Sequence, residues 1–206
     1  MTYQWARNFT LELINQRSIA GAEIAPSYNN QADYLKKIAR LLDDAALQAA
    51  AGAGAMRAVK PLSELEVGQL GQWRSYTLPE DCRRLVCLLR TDGPRLQKYH
   101  RYRLVGDDKI AVPARLDGEL AVEYFRYPRL LGEDPEEEAE LDNTVEVQTA
   151  LPYYAAAMLV LGDDAFAYAT LMNQFESRLA RVGRGPQAEW ETVEDAYSAE
   201  EWEVDA

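Results

Sequence analysis

The chain has 206 residues, 48% of them hydrophobic and 10% aromatic, which is enough for one domain with a good core or one core plus extensions. No apolar run approaches the roughly 18 residues that a membrane span needs, and no basic-then-apolar start suggests a signal peptide. The net charge of −12 is unevenly spread: residues 133–142 and 184–206 hold 15 of the 34 acids but one of the 22 bases, so the remainder is nearly neutral and the low isoelectric point does not mean a uniformly acidic surface.

The first predicted helix covers residues 2–17, with Trp5, Phe9 and Leu13 as a narrow apolar stripe. Gly21, Pro26 and the Asn29-Asn30 pair mark a connector, with Asn30 a candidate cap. A second helix runs from Gln31 to about Ala51. Its apolar face is Tyr34, Leu35, Ile38, Leu41, Leu42, Ala45 and Ala46, and Lys36, Lys37, Arg40 and Asp44 face water. The Ala-Gly-Ala-Gly-Ala run at 51–55 breaks it. Its glycines stand in the wrong places for a phosphate cradle.

From Met56 the period changes to that of strands. Segments 57–61, 72–78, 84–90, 99–104, 109–113 and 119–127 read as β, separated by Gly93-Pro94, Gly106-Asp107-Asp108 and Asp117-Gly118. The last two turns look like hairpin turns. On the final strand Val122, Tyr124 and Arg126 share one face. Cys82 and Cys87, the two cysteines, are five apart on a strand and so point to opposite faces. A mutual disulfide is not expected, metal-ligand spacing is absent, and two buried thiols suit a reducing compartment.

The helical period returns after the acidic stretch. Val147, Leu151, Tyr154, Met158 and Leu161 recur at steps of four and three, and Tyr168, Leu171, Phe175, Leu179 and Val182 do the same. Gly162 suits a left-handed helix end, and Asp163 or Asp164 can cap the second helix of the pair. The short link predicts two antiparallel helices sharing an apolar seam. The expected fold class is therefore α+β: N-terminal helices plus a C-terminal helical hairpin as the core, with a small antiparallel sheet inserted between them. In domain terms this is one α+β domain over 1–182, with helices at about 2–51 and 145–182 and a β-rich insert at about 56–127. An extended acidic C-terminal arm occupies 183–206.

Two segments carry a resemblance. The first is the acidic approach, Ala150-Leu151-Pro152-Tyr153-Tyr154, Leu161-Gly162-Asp163-Asp164 and Leu171-Met172-Asn173-Gln174-Phe175-Glu176. The second is Tyr76-Thr77-Leu78-Pro79-Glu80-Asp81-Cys82-Arg83-Arg84-Leu85, which looks like a Leu-Pro-x-Asp entry into a strand. Together they resemble the bacteriophage head–tail adaptor (connector, or head-completion) proteins over roughly half of the chain. The likeness is one of packing and turns and brings no catalytic signature. It implies a structural virion protein at the neck, made in the host cytoplasm: a dodecameric homo-oligomeric ring under the portal protein. Such a ring binds a stopper or tail protein on its other side, and genomic DNA passes through its lumen without sequence-specific binding. The resemblance implies no enzyme activity, cofactor, metal or membrane. The rival from another class is a non-viral acidic interaction module that binds a basic partner.

The residues offer few chemical sites. His100, the one histidine, lies in the basic, aromatic stretch Lys98-Tyr99-His100-Arg101-Tyr102-Arg103 and reads as a partly exposed strand residue, because no nucleophile or carboxylate motif accompanies it. The run at 133–142 lacks the acid spacing and turn glycine of a calcium loop and reads as a solvated or interfacial loop. The interface candidates are Arg83, Arg84, Arg101 and Arg103 in the basic segment and Trp190, Tyr197 and Trp202 in the arm. The arginines can meet acids of a neighbouring subunit, can line a solvated sheet face, or can bind nucleic acid with Tyr99 and Tyr102 stacking on bases. The arm's aromatics can dock on another chain, or the arm can be a solubilising terminus.

Overall fold

A computed structural model describes residues 1–15, 30–52, 55–92, 95–116 and 118–182. It divides into two units, one built from residues 1–54 and 130 onward, the other from residues 55–129.

The first unit is helical. Its described elements are α1 (Tyr3–Leu13), α2 (Asn30–Ala51), α3 (Val145–Gln148), α4 (Leu151–Val160) and α5 (Ala165–Val182). Helix α4 is the centre, touching α1, α2 and α5. Its sequence LPYYAAAMLV is apolar all round, as a helix packed on every side requires. Leu151, Ala155, Ala156 and Ala157 are fully buried, and the three alanines let neighbouring helices approach closely. Pro152, without an N–H, sits in the first turn of α4, which sets it apart from α3.

The expected stripe on α1 is turned. Tyr3, Ala6, Thr10 and Leu11 are buried, whereas Trp5, Phe9 and Leu13 are half-buried. The small Ala6 and Thr10 take the buried positions, and the Thr10 hydroxyl is satisfied by donating to the Ala6 carbonyl at 2.8 Å. The large rings flank that line, Phe9 standing edge-on to Tyr153 with centroids 5.6 Å apart. The helix also stops earlier than residue 17, with Asn15 in the left-handed region at φ 58°. Helix α2 buries the predicted face, with Ile38, Leu42, Ala45 and Ala49 at its centre and Leu35 left exposed.

Between α4 and α5 the turn takes a different form from the one expected. Gly162 stays out of the left-handed region. The N–H groups of Asp163 and Asp164 both donate to the Val160 carbonyl, and the Asp164 carboxylate caps α5 by accepting from Phe166 and Ala167. Phe175 is buried against Tyr154, with ring centroids 5.2 Å apart. Leu171 is only half-buried; Met172, Leu179 and Val182 pack on the core.

The second unit overturns the fold class expected from the sequence. In place of a small sheet inserted into a helical core, eight described strands form two four-stranded antiparallel sheets. Strand accounts for about 29% of the described residues, beside about 41% helix. The strands are β1 (Met56–Pro61), β2 (Val67–Leu70), β3 (Trp73–Thr77), β4 (Cys82–Asp92), β5 (Arg95–Tyr99), β6 (Arg103–Val105), β7 (Lys109–Pro113) and β8 (Glu119–Arg126). The first sheet has the order β1-β8-β4-β5 and the second β2-β3-β7-β6. Leu88, Val122 and Tyr124 from the first and Ile110 and Val112 from the second, with Leu62, share one apolar cluster. The unit is a two-layer β structure with its own core.

Several local readings change accordingly. Gly106, at φ 68°, turns the β6–β7 hairpin as its sequence suggested. Gly118 does not make a hairpin, because β7 and β8 belong to different sheets and the chain crosses between them after Pro113. The segment 99–104 is not one strand, since β5 ends at Tyr99 and β6 begins at Arg103. Strand β2, with all four residues exposed, lacks the alternation that would have marked it.

Candidate functional site

On the outer face of the first sheet, the register places Arg57, Phe125 and Arg84 side by side on β1, β8 and β4. The Arg84 guanidinium lies 4.8 Å from the Phe125 ring centre and that of Arg57 5.4 Å, so one exposed-face ring is held by two cations. In the next row Glu123 receives Arg57 at 3.2 Å and the Cys87 thiol, also at 3.2 Å. Burial, then the Glu123 carboxylate, pushes the Cys87 thiol up to about 11. Cys82 packs on the inner cluster, so the two cysteines face opposite ways and both are free. Register shifts on either side of Arg84 and Leu85 amount to two extra residues, which leaves the alternation unchanged across the pair.

On the second sheet Arg103 lies 4.6 Å over the ring of Trp73. Its β-partner Ala111 is almost completely buried although on the outer side of the sheet. The predicted basic segment therefore does not form one patch. Arg84 and Arg103 stand on the outer faces of two different sheets, Arg101 is exposed in the link between β5 and β6, and Arg83 is half-buried at the first irregularity of β4. Tyr99 and Tyr102, the candidate stacking platforms, pack against the inner cluster. His100 is exposed in the same link. Trp190, Tyr197 and Trp202 lie outside the described residues.

Sequence reasoning missed the aromatic partners Phe125 and Trp73, and the cation Arg57. Alternation along β8 does put Phe125 outward. Which arginines reach it depends on the pairing of β8 between β1 and β4, and that register is not written in any one segment.

In the helical unit the acidic loop has a fixed backbone. The amides of Tyr3 and Gln4, which the start of a helix leaves without helical partners, donate to the carbonyls of Ala139 at 2.7 Å and Glu137 at 3.0 Å. Leu141 N–H donates to the Met1 carbonyl, and the Glu137 carboxylate meets Arg7 at 2.9 Å. Gln148, itself buried, donates to the carbonyls of Leu141 and Asn143 at 2.6 and 2.7 Å and so ties the loop to α3. Asp43 holds the start of the same segment by accepting from the N–H groups of Leu131 and Gly132. Burial raises its carboxyl above the usual range, against the lowering effect of those two bonds. Glu133, Asp134, Glu136 and Glu138 remain exposed on this fixed frame.

Neither a protein-family model nor a curated protein matches the chain. Among the described residues no group of three or more His, Cys, Asp or Glu could hold a metal ion, and no helix is long and apolar enough to cross a membrane.

Proposed function

We propose that the chain is a structural assembly protein of the phage neck: a head–tail adaptor that forms a homo-oligomeric ring beneath the portal, joins it to a stopper or tail protein, and lets genomic DNA pass through its channel. The observation that carries the reading is the pairing of two preformed, oppositely charged surfaces. One is a row of exposed acids on a backbone-anchored loop of the helical unit; the other is the exposed Arg84 held on the Phe125 ring, on the outer face of the first sheet of the strand unit. Stacked guanidiniums lose less side-chain freedom on meeting carboxylates than unrestrained lysines would. Complementary patches that are not the same patch suit head-to-tail contacts, which make a ring where the rotation between neighbours closes and a filament where it does not. The likeness of the Leu-Gly-Asp-Asp hairpin and the Leu-Pro-Glu-Asp strand entry to adaptor proteins supplies the neck assignment.

The decisive experiment mixes the purified chain with a portal protein from the same genome and weighs the products by native mass measurement and electron micrographs; a genome without a portal gene also refutes the reading. A symmetric ring added to the portal supports the reading, and Arg84→Glu weakens it in a salt-dependent way. A chain that stays monomeric and adds no mass to the portal at low or physiological salt refutes it and leaves the interaction-module rival.

A further inference from the structure

The interior of the strand unit contains a group that its apolar surroundings do not explain. A cavity of about 490 Å³ opens between the sheets where β3 begins and β7 ends. Leu62, Val112, Leu116 and Leu120 supply its apolar wall. Arg74 projects into the same space, from a position on β3 opposite Val112 where the alternation calls for an apolar side chain. One of its terminal nitrogens donates to the Leu116 carbonyl at 2.9 Å. Its Nε is buried and has no hydrogen-bond partner among the described residues.

Arg90 repeats the pattern from the facing sheet. It sits on β4 opposite Leu120, its Nε is also buried without a partner among the described residues, and it lies against Gly118. A Cβ at Gly118 would come within 3.2 Å of that Nε, and the backbone there has φ +105°, so the crossover leaves the guanidinium room that any other residue would take. Two guanidiniums thus flank one short segment, Arg74 at Leu116 and lining the cavity, Arg90 behind Gly118 and outside the lining, each with a buried Nε–H unspent among the described residues. Buried donors are rarely left unpaired, and a guanidinium edge matches the two oxygens of a carboxylate.

We propose that this cavity is a binding site for a monocarboxylate bearing an apolar group, the carboxylate accepting from Arg74 with Arg90 adding positive charge behind it, and the apolar group lying against Leu62, Val112 and Leu120. Glu119 lines the same cavity, and a carboxylate there repels a doubly charged phosphate about twice as strongly as a singly charged carboxylate. The site is independent of the assembly reading above.

The test follows the Arg side-chain Nε–H resonances of the whole chain by NMR during titration with hexanoate, with N-acetyl-leucine as a mimic of a peptide end, and with hexanamide as the uncharged control. Saturable movement of the Arg74 resonance with a carboxylate and not with hexanamide is expected. A shift by both carboxylates assigns the site to free acids, and a shift by N-acetyl-leucine alone assigns it to a chain terminus; either upholds it. Arg74→Leu should weaken binding about tenfold or more, and Gly118→Ala should weaken it with Arg74 intact. The comparison with hexanamide on the unaltered chain does not depend on a variant folding. No saturable shift with either carboxylate, an equal shift with hexanamide, or undiminished binding to a folded Arg74→Leu chain overturns the proposal.

Discussion

Phe175→Ala and Leu171→Ala form a pair of substitutions that the sequence treats alike and the structure separates. Both residues belong to the same four-three repeat on α5. Phe175 is 3% exposed and its ring meets that of Tyr154, whereas Leu171 is half-buried and stands outside the apolar cluster. Removing a buried phenyl ring costs about 3–5 kcal/mol, including its lost contact with the neighbouring ring. Deleting the Leu171 side chain forfeits only part of a leucine's burial and leaves a space that water can enter, so about 1–2 kcal/mol is expected. The helices α1–α5 all lie in one unit, so urea unfolding monitored by far-ultraviolet circular dichroism in the helical band reports mainly on that unit. With a slope of about 2 kcal/mol per molar urea, the Phe175→Ala midpoint should fall roughly 1 M further than that of Leu171→Ala. Equal shifts for the two variants, or a larger one for Leu171→Ala, would refute the packing account of the hairpin.

Gln148→Leu should destabilise the helical unit by about 2–4 kcal/mol, because it leaves the carbonyls of Leu141 and Asn143 without their side-chain donors in a largely buried place; thermal unfolding measures this, and a change below about 0.5 kcal/mol would count against the tie. Gly106→Val should cost about 1–2 kcal/mol, since φ at this hairpin turn is 68°; denaturant unfolding of a chain that keeps Trp73 and carries Phe at the other three tryptophans measures it by fluorescence, and an unchanged midpoint would count against the turn. Cys87 should be alkylated about a hundredfold more slowly in the folded chain than a thiol of ordinary pKa at mildly alkaline pH, with peptide mass spectrometry as the readout. Its raised pKa also sets a sign for stability. The folded state holds the proton more tightly, so this contribution is complete below the ordinary thiol value of 9.0 and is lost as pH rises toward about 11; a Cys87→Ala chain should lose that part of the decline.

Helices α2 and α5 were legible because each turns to the core a face whose period the chain repeats, α2 keeping to it closely and α5 burying Phe175 fully and its neighbours in part, whereas α4 is buried on every side. Helix α1 was misread by size. Trp5 and Phe9 made the most visible stripe, yet Tyr3, Ala6, Thr10 and Leu11 take the buried positions, a choice that depends on how the helix docks and not on hydrophobicity. Individual strands were legible from alternation and turns, and the β7 bounds match. The division into two sheets was not. Asp117-Gly118 looks like a hairpin turn in isolation, and only the pairing of β8 with β1 and β4 shows that the chain leaves one sheet there and enters the other. Without that division the basic residues of 82–103 read as a single cluster, and the separation of Arg84 and Arg103 onto outer faces of different sheets, with Arg90 turned inward, could not be foreseen.

The position of β8 also sets a timetable for synthesis. It lies between β1 and β4, and it is the last strand of the unit to be made. Until residue 126 has emerged from the ribosome, β1 has no neighbour and β4 has only β5, so two strand edges with their backbone donors and acceptors stand open. The β2–β3 and β6–β7 hairpins can close locally in the meantime. A pause or truncation before β8 therefore leaves a nascent chain with an unpaired β1 and an open edge on β4, each available to a strand from another copy and hence to aggregation, whereas one just after Arg126 has every strand needed to complete the sheet.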